Sequence, residues 1–137
     1  MAASVPEYLP IAFVDTSAIV ALVDRDDHTH GDAVNAYHSL VDDGYRLFTT
    51  NHVIRETYDL LASTLGHTVA AQWLSDVGLA VYVTDNQDET RARERILAAG
   101  PDRPLRYSDA ISLSVMERLG IVEAFAVDPD FLESMTG

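Results

Sequence analysis

Four short apolar runs limit what this chain can fold into. They are "IAFVD" at 11–15, "RLFTT" at 46–50, "LAVYVT" at 79–84 and "EAFAVD" at 123–128. Each is too short for a helix and is bounded by polar or turn-forming residues, the mark of a strand. The first is apolar on both parities, as a strand buried on both faces must be. Longer stretches at helical period separate them. Residues 17–25 predict a short helix. Ala33, Val34, Tyr37, Leu40 and Val41 fall on one face of a helix over 30–43. "NHVIRETYDLLASTLG" (51–66) predicts a helix with Asn51 as its N-cap and Gly66 as its stop. Further helices are expected over 68–77, 88–100 and 108–120, the last capped by Ser108. A closing turn or short helix follows Pro129. Strands alternating with helices predict a parallel sheet covered on both faces. The expected fold is therefore α/β, a three-layer α/β/α sandwich around a mainly parallel sheet of four to five strands. One domain over 11–137, with an N-terminal extension over 1–10, accounts for the 137 residues.

Composition removes several kinds of chemistry. There is no cysteine, so disulfides, zinc–thiolate sites and thiol nucleophiles are excluded. Lysine is also absent, and all nine basic residues are arginine. Schiff-base chemistry and lysine-dependent phosphate loops go with it. The formal net charge is -13, which argues against a chain that coats nucleic acid with a basic stripe. Nucleic-acid chemistry here would need bound cations and a few well-placed arginines. No apolar run is long enough to cross a membrane. "MAASVPEYLP" lacks the basic and apolar regions of a secretory signal, so a cytoplasmic protein is expected.

In open parallel sheets, sites form beyond the carboxyl ends of strands. Asp15 follows the first strand and Asp128 the last. Asp109 opens the helix before that last strand, and Glu56 lies in the first half of the helix after the second. Each has an ordinary alternative. Asp15 is a possible helix cap, Asp109 a complement to a helix dipole, Glu56 a solvated helix residue, and Asp128 a turn former before Pro129. Their joint placement at element ends raises the site reading above these. Crowded carboxylates repel one another, and a divalent cation relieves the conflict. Oxygen-only donors suit Mg²⁺ or Mn²⁺, an arrangement used in metal-assisted phosphodiester hydrolysis.

Four blocks then resemble one family. They are "FVDTSAIVAL", "TTNHVIRETYDLL", "SDAISLSVMERLGI" and "AFAVDPDF". In this order and spacing they resemble the PIN domains, and among them the VapC-like toxins of toxin–antitoxin pairs. The resemblance covers nearly the whole chain, from Ile11 to Phe131. It implies an endoribonuclease dependent on Mg²⁺ or Mn²⁺. Asp15, Glu56, Asp109 and Asp128 match the family's acidic quartet. Asp15 and Asp109 would be the principal metal ligands, Asp128 would help hold the metal or its waters, and Glu56 would orient or deprotonate the attacking water. Ser17 matches a position that supports the first aspartate. Asp130 is a fifth acid nearby. Arg55 is a candidate phosphate contact. Arg106 departs from the small or uncharged residue expected there, and would either contact RNA phosphate or pair with an acid and lower metal affinity. The implied partners are an RNA substrate, an antitoxin protein and a second copy of the chain in a homodimer; the net charge of -13 further favours an antitoxin that presents arginine to the carboxylates.

Other features have plainer readings. His28 and His30 read as surface or capping residues. His52, four residues before Glu56, reads as exposed or as a neighbour of the site. Three competing functions fit the residues less well. A receiver-type phosphoacceptor needs a lysine that the chain lacks. A dehalogenase-like phosphatase needs an acid where Ser17 stands. A PIN fold without catalysis, acting only as a binding module, conflicts with the intact quartet.

Overall fold

The computed structural model describes residues 10–136; the expected extension over 1–10 otherwise lies outside the described residues. Four strands form one parallel sheet: β1 (Ile11–Val14), β2 (Arg46–Thr50), β3 (Ala80–Tyr82) and β4 (Glu123–Phe125), in the order β3-β2-β1-β4. Seven helices accompany them among the described residues. They are α1 (Thr16–Val23), α2 (His30–Asp42), α3 (Asn51–Leu65), α4 (His67–Asp76), α5 (Asn86–Ala99), α6 (Tyr107–Leu119) and α7 (Pro129–Thr136). The expected α/β/α sandwich is what the chain forms, with four strands among the described residues, all parallel.

β1 is the axis of this arrangement. Ala12, Phe13 and Val14 are all buried, so side chains on both faces of the strand are covered. The Phe13 ring packs against Phe48 of β2 at 5.7 Å and Phe131 of α7 at 6.1 Å. Helix α6 runs through the centre, with every residue from Asp109 to Met116 buried. Val115, Ile111 and Ala110 face a second apolar cluster with Ala92 of α5, while Leu113 and Met116 join the main core. Gly120 ends α6 in the left-handed conformation, φ 70°, where glycine carries no side-chain clash.

Several boundaries differ from expectation for local reasons. The cap of α3 is Thr50, whose hydroxyl accepts from Val53 N, and Asn51 is already helical. The α5 helix begins two residues early because Asp85 and Asp88 form a reciprocal capping box. Helix α6 starts at Tyr107, with Arg106 at the cap position, and Ser108 spends its hydroxyl elsewhere. β4 stops at Phe125, so Asp128 does not end a strand but stands on the loop leading into α7. Pro10, counted with the extension, already accepts from Arg46 N and continues the β1–β2 ladder.

An ion pair between buried Asp88 and the more exposed Arg118 joins β3, α5 and α6. Asp88 is 1% exposed and accepts from Nε and Nη2 of Arg118 at 2.8 and 3.1 Å and from the Tyr82 hydroxyl at 2.9 Å. Those donors and the capping box offset only part of the burial cost: burial, with Asp85 and Glu89 nearby, still pushes the Asp88 carboxyl up. In the sequence Asp88 is one charge among many on an exposed-looking helix, and nothing local marks it as buried.

Candidate active site

The sheet changes direction at β1: β2 lies on one side and β4 on the other. Such a switch leaves a crevice beyond the strand's carboxyl end. Asp15 is the first residue past that end, and its backbone N–H is held by the Phe125 carbonyl at 2.9 Å. Its carboxylate caps α1 and also faces the crevice, so the cap and the site are one residue.

A cleft of about 290 Å³ opens there and is lined by Asp15, Glu56, Asp109 and Asp128 together with Ser17 and Arg106. Six of the eight side chains singled out from the sequence thus meet at one place. Asp130 and Arg55 do not line this cleft. Asp130 is in the first turn of α7, exposed, with its N–H donating to Asp128 Oδ1 at 3.0 Å. Arg55 lies one helical step away, in a neighbouring groove.

Ser17 joins two of the acids. Its hydroxyl donates to Asp15 Oδ2 at 2.6 Å, and its N–H donates to the same oxygen at 3.1 Å. The Ser17 oxygen in turn accepts from the N–H groups of Val127 and Asp128, at 3.0 and 3.2 Å. One hydroxyl therefore fixes the rotamer of Asp15 and the loop carrying Asp128. Ser17→Ala is expected to cost about 1–3 kcal/mol of stability, because it leaves two backbone donors unpaired. Catalytic activity should fall roughly 10–100-fold through misplaced carboxylates. Denaturant titration and an activity assay on the same sample check both figures.

Glu56 is held from one side only. Its Oε2 accepts from Arg106 Nη2 at 2.5 Å and from the Ser108 hydroxyl at 2.8 Å. Oε1 has no protein hydrogen bond among the described residues. Ser108 is thus an orienting residue that its helix-starting position disguised as a cap. Of the two readings open for Arg106, pairing with an acid is the one seen here. Burial works against its charge, but Glu56, Asp109 and Asp15 outweigh that and strengthen its hold on the proton.

The two central aspartates sit under electrostatic stress. Burial pushes the Asp109 carboxyl up from 3.8 to about 6, and Asp15 adds to the rise; Arg106 opposes it, while Glu56 and Asp128 contribute in the raising direction. Asp109 accepts no hydrogen bond from the protein among the described residues. Burial likewise raises Asp15 against the lowering hydrogen bonds from Ser17, with Glu56 adding repulsion. Excess negative charge in a poorly solvated place is what a divalent cation neutralises. Among the described residues no three histidine, cysteine or acidic groups stand together as a ready-made metal cage. An oxygen-only pair is instead the donor set of a hard cation that keeps waters and accepts phosphate oxygens.

The histidines lie at the rim or beyond it. His30 Nδ1 is engaged with the Ala21 carbonyl at 2.7 Å, while exposed His28 borders the cleft beside Asp27 and Thr29. His52 Nε2 reaches Glu89 at 2.8 Å. No helix among the described residues is long and apolar enough to cross a membrane.

Comparison with known proteins places nearly the whole chain in one family. The sequence profile of the PIN domain matches residues 12–134. The 23S rRNA-specific endonuclease VapC20 of Mycobacterium tuberculosis, in strains CDC 1551 / Oshkosh and H37Rv, is 37% identical over 123 residues, covering 87% of this chain and 90% of the relative. The crystal structure of Mycobacterium tuberculosis VapC20, described as a Sarcin-Ricin loop cleaving toxin, superposes with a TM-score of 0.77 at 33% identity, over 90% of this chain and 94% of that one.

Proposed function

Because the chain belongs to the PIN domain family and is VapC-like, we propose that it is a divalent-metal-dependent endoribonuclease that hydrolyses a phosphodiester bond of the sarcin–ricin loop of 23S rRNA. The observation that carries this reading is the convergence of Asp15, Glu56, Asp109 and Asp128 on one cleft at the switch point of the sheet. The substrate follows from the VapC20 relative, whose names specify that RNA and that loop.

The residues fit an Mg²⁺ or Mn²⁺ ion. Asp15 Oδ1 and both oxygens of Asp109 are free of protein hydrogen bonds among the described residues, and both groups are buried. These two would be the principal ligands, with Asp128 holding water or the ion's outer edge. When bound, the ion supplies charge stabilisation to the phosphate and lowers the cost of deprotonating water. The chain's own work is positional. Arg106 and Ser108 fix Glu56 through Oε2, which leaves Oε1 to take a proton from the attacking water. The water oxygen bonds to phosphorus while the opposite P–O ester bond breaks, and the departing oxygen takes a proton from solvent. Ser17 keeps Asp15 and the Asp128 loop in register as charge builds on the phosphate.

An antitoxin-type protein partner is a natural counterpart to the same cleft. The seating of Arg106 against Glu56 supports a partner arginine competing for these carboxylates. The function itself is tested with a synthetic sarcin–ricin hairpin and a hairpin of scrambled loop. Cleavage of the first in Mg²⁺ or Mn²⁺, stopped by chelation and restored by added ion, is the expected result. Equal cleavage of both hairpins would remove the substrate assignment, and cleavage unaffected by chelator would remove the metal.

A further inference from the structure

A second groove, about 580 Å³, continues from the cleft and shares Glu56, Leu60 and Arg106 with it. It is also lined by His52, Arg55 and Tyr107, which do not line the cleft. His52, Arg55, Glu56 and Asp59 fall on one face of α3 by their three- and four-residue spacing, so the groove follows that helix away from Asp15, Asp109 and Asp128. We propose that this groove is a subsite for one unstacked nucleotide beside the cut phosphate, with Tyr107 as the surface on which its base stacks and Arg55 as its phosphate contact. This rests on the RNA-cleaving reading above.

Three features support it. Tyr107 is 45% exposed, yet its ring is fixed at the tip, where its hydroxyl donates to Glu89 Oε1 at 3.1 Å. The other oxygen of Glu89 accepts from His52 Nε2 and from the Thr84 hydroxyl, each at 2.8 Å. The His52 and Tyr107 rings lie 6.2 Å apart and 33° from parallel, an aromatic shelf braced from below by one carboxylate. A rigid, exposed aromatic surface costs little entropy when a base settles on it, and base–aromatic stacking tolerates any base.

The second feature is charge. Five of the nine arginines are engaged with carboxylates: Arg91, Arg95, Arg103, Arg106 and Arg118. Of the four with no ion pair among the described residues, Arg55 alone lines either cavity. On a chain of net charge -13, a free guanidinium beside the reactive cleft is a scarce anchor for phosphate. The third feature is continuity. Arg106 borders both cavities, so a strand whose phosphate sits over the acids has its next nucleotide directed along α3.

The test places 2-aminopurine at the nucleotides flanking the cut bond of the sarcin–ricin hairpin. Asp109→Asn protein is used for binding and otherwise native protein for turnover. Binding should quench one of the two labels, and adding Tyr107→Leu should abolish that quench. In the active chain, Tyr107→Leu should raise KM about tenfold with a much smaller change in kcat, whereas Tyr107→Phe, which keeps the ring but loses its tether to Glu89, should raise KM by clearly less. Arg55→Gln should lower the slope of log affinity against log salt by about one. Thermal melts show whether each variant is folded. If Tyr107→Leu is folded and leaves quench and KM unchanged, the subsite is refuted while the nuclease stands. Quenching by a native chain that cuts no RNA would instead support the subsite and refute the nuclease. Weakened binding of an arginine-rich peptide, with RNA binding untouched, would make the groove a protein seat and overturn the proposal.

Discussion

Asp109→Asn is expected to abolish RNA cleavage and, at neutral pH, to make the protein more stable. The loss of activity should be about 1,000-fold or more, since several kcal/mol of transition-state stabilisation depend on the ion it would hold. The gain in stability follows from its titration. Asp109 has a folded pKa of about 6 against an ordinary 3.8, so the folded state holds its proton more tightly than the unfolded chain does. The stabilisation linked to that proton is full below 3.8 and is lost as pH rises through about 6. Above pH 6 the ionised carboxylate therefore burdens the fold by on the order of 3 kcal/mol. Asparagine removes that burden. Melting temperatures of native and Asp109→Asn protein should differ by several degrees at pH 7.5, with the variant higher. The gap should close as pH falls from 6 toward 4. Added Mn²⁺ should raise the native melting temperature and leave the variant's unchanged. A variant less stable than the native chain at pH 7.5 would contradict the electrostatic account.

Phe13→Ala should be among the most damaging single changes to the fold. The side chain is fully buried in the strand that carries Asp15, and its ring meets Phe48 and Phe131. Removing a buried phenylalanine costs about 3–5 kcal/mol, through lost transfer energy and the cavity left behind. Against a typical stability of about 5–15 kcal/mol, that is a large share. The effect should reach the site, because Phe131 anchors the helix that follows Asp128. Urea titration should show a lower midpoint at an unchanged m-value. A loss below about 1.5 kcal/mol would mean that the ring packing around β1 is not the keystone of this core.

Much of this architecture was legible in the sequence because its signals are local. Apolar runs bounded by turns gave the four strands, and Gly44, Gly66 and Gly120 sit at helix ends with positive φ. The carboxylates stood out because they interrupt apolar segments. What escaped was decided by tertiary partners. Ser108 looked like a cap, and only the fold shows Glu56 opposite its hydroxyl. Asp88 looked solvated, and only the approach of Arg118 from α6 explains its burial. Asp128 looked like the end of a strand, but the pairing of β4 with β1 stops at Phe125 and the loop is held by Ser17. The partner of Arg106 lies fifty residues away in the chain, a contact that no local pattern encodes.

In the proposed reaction these four carboxylates direct a metal-assisted attack of water on an RNA phosphodiester. Its most direct test is the chemistry of the cut ends. Purified protein is incubated with an end-labelled sarcin–ricin hairpin and Mn²⁺, beside Asp15→Asn protein, and the termini are analysed by mass spectrometry. Attack by water leaves a linear phosphate on one fragment and a free hydroxyl on the other, with cleavage absent from Asp15→Asn. A 2′,3′-cyclic phosphate, or cleavage that persists in the folded Asp15→Asn protein, would contradict the account.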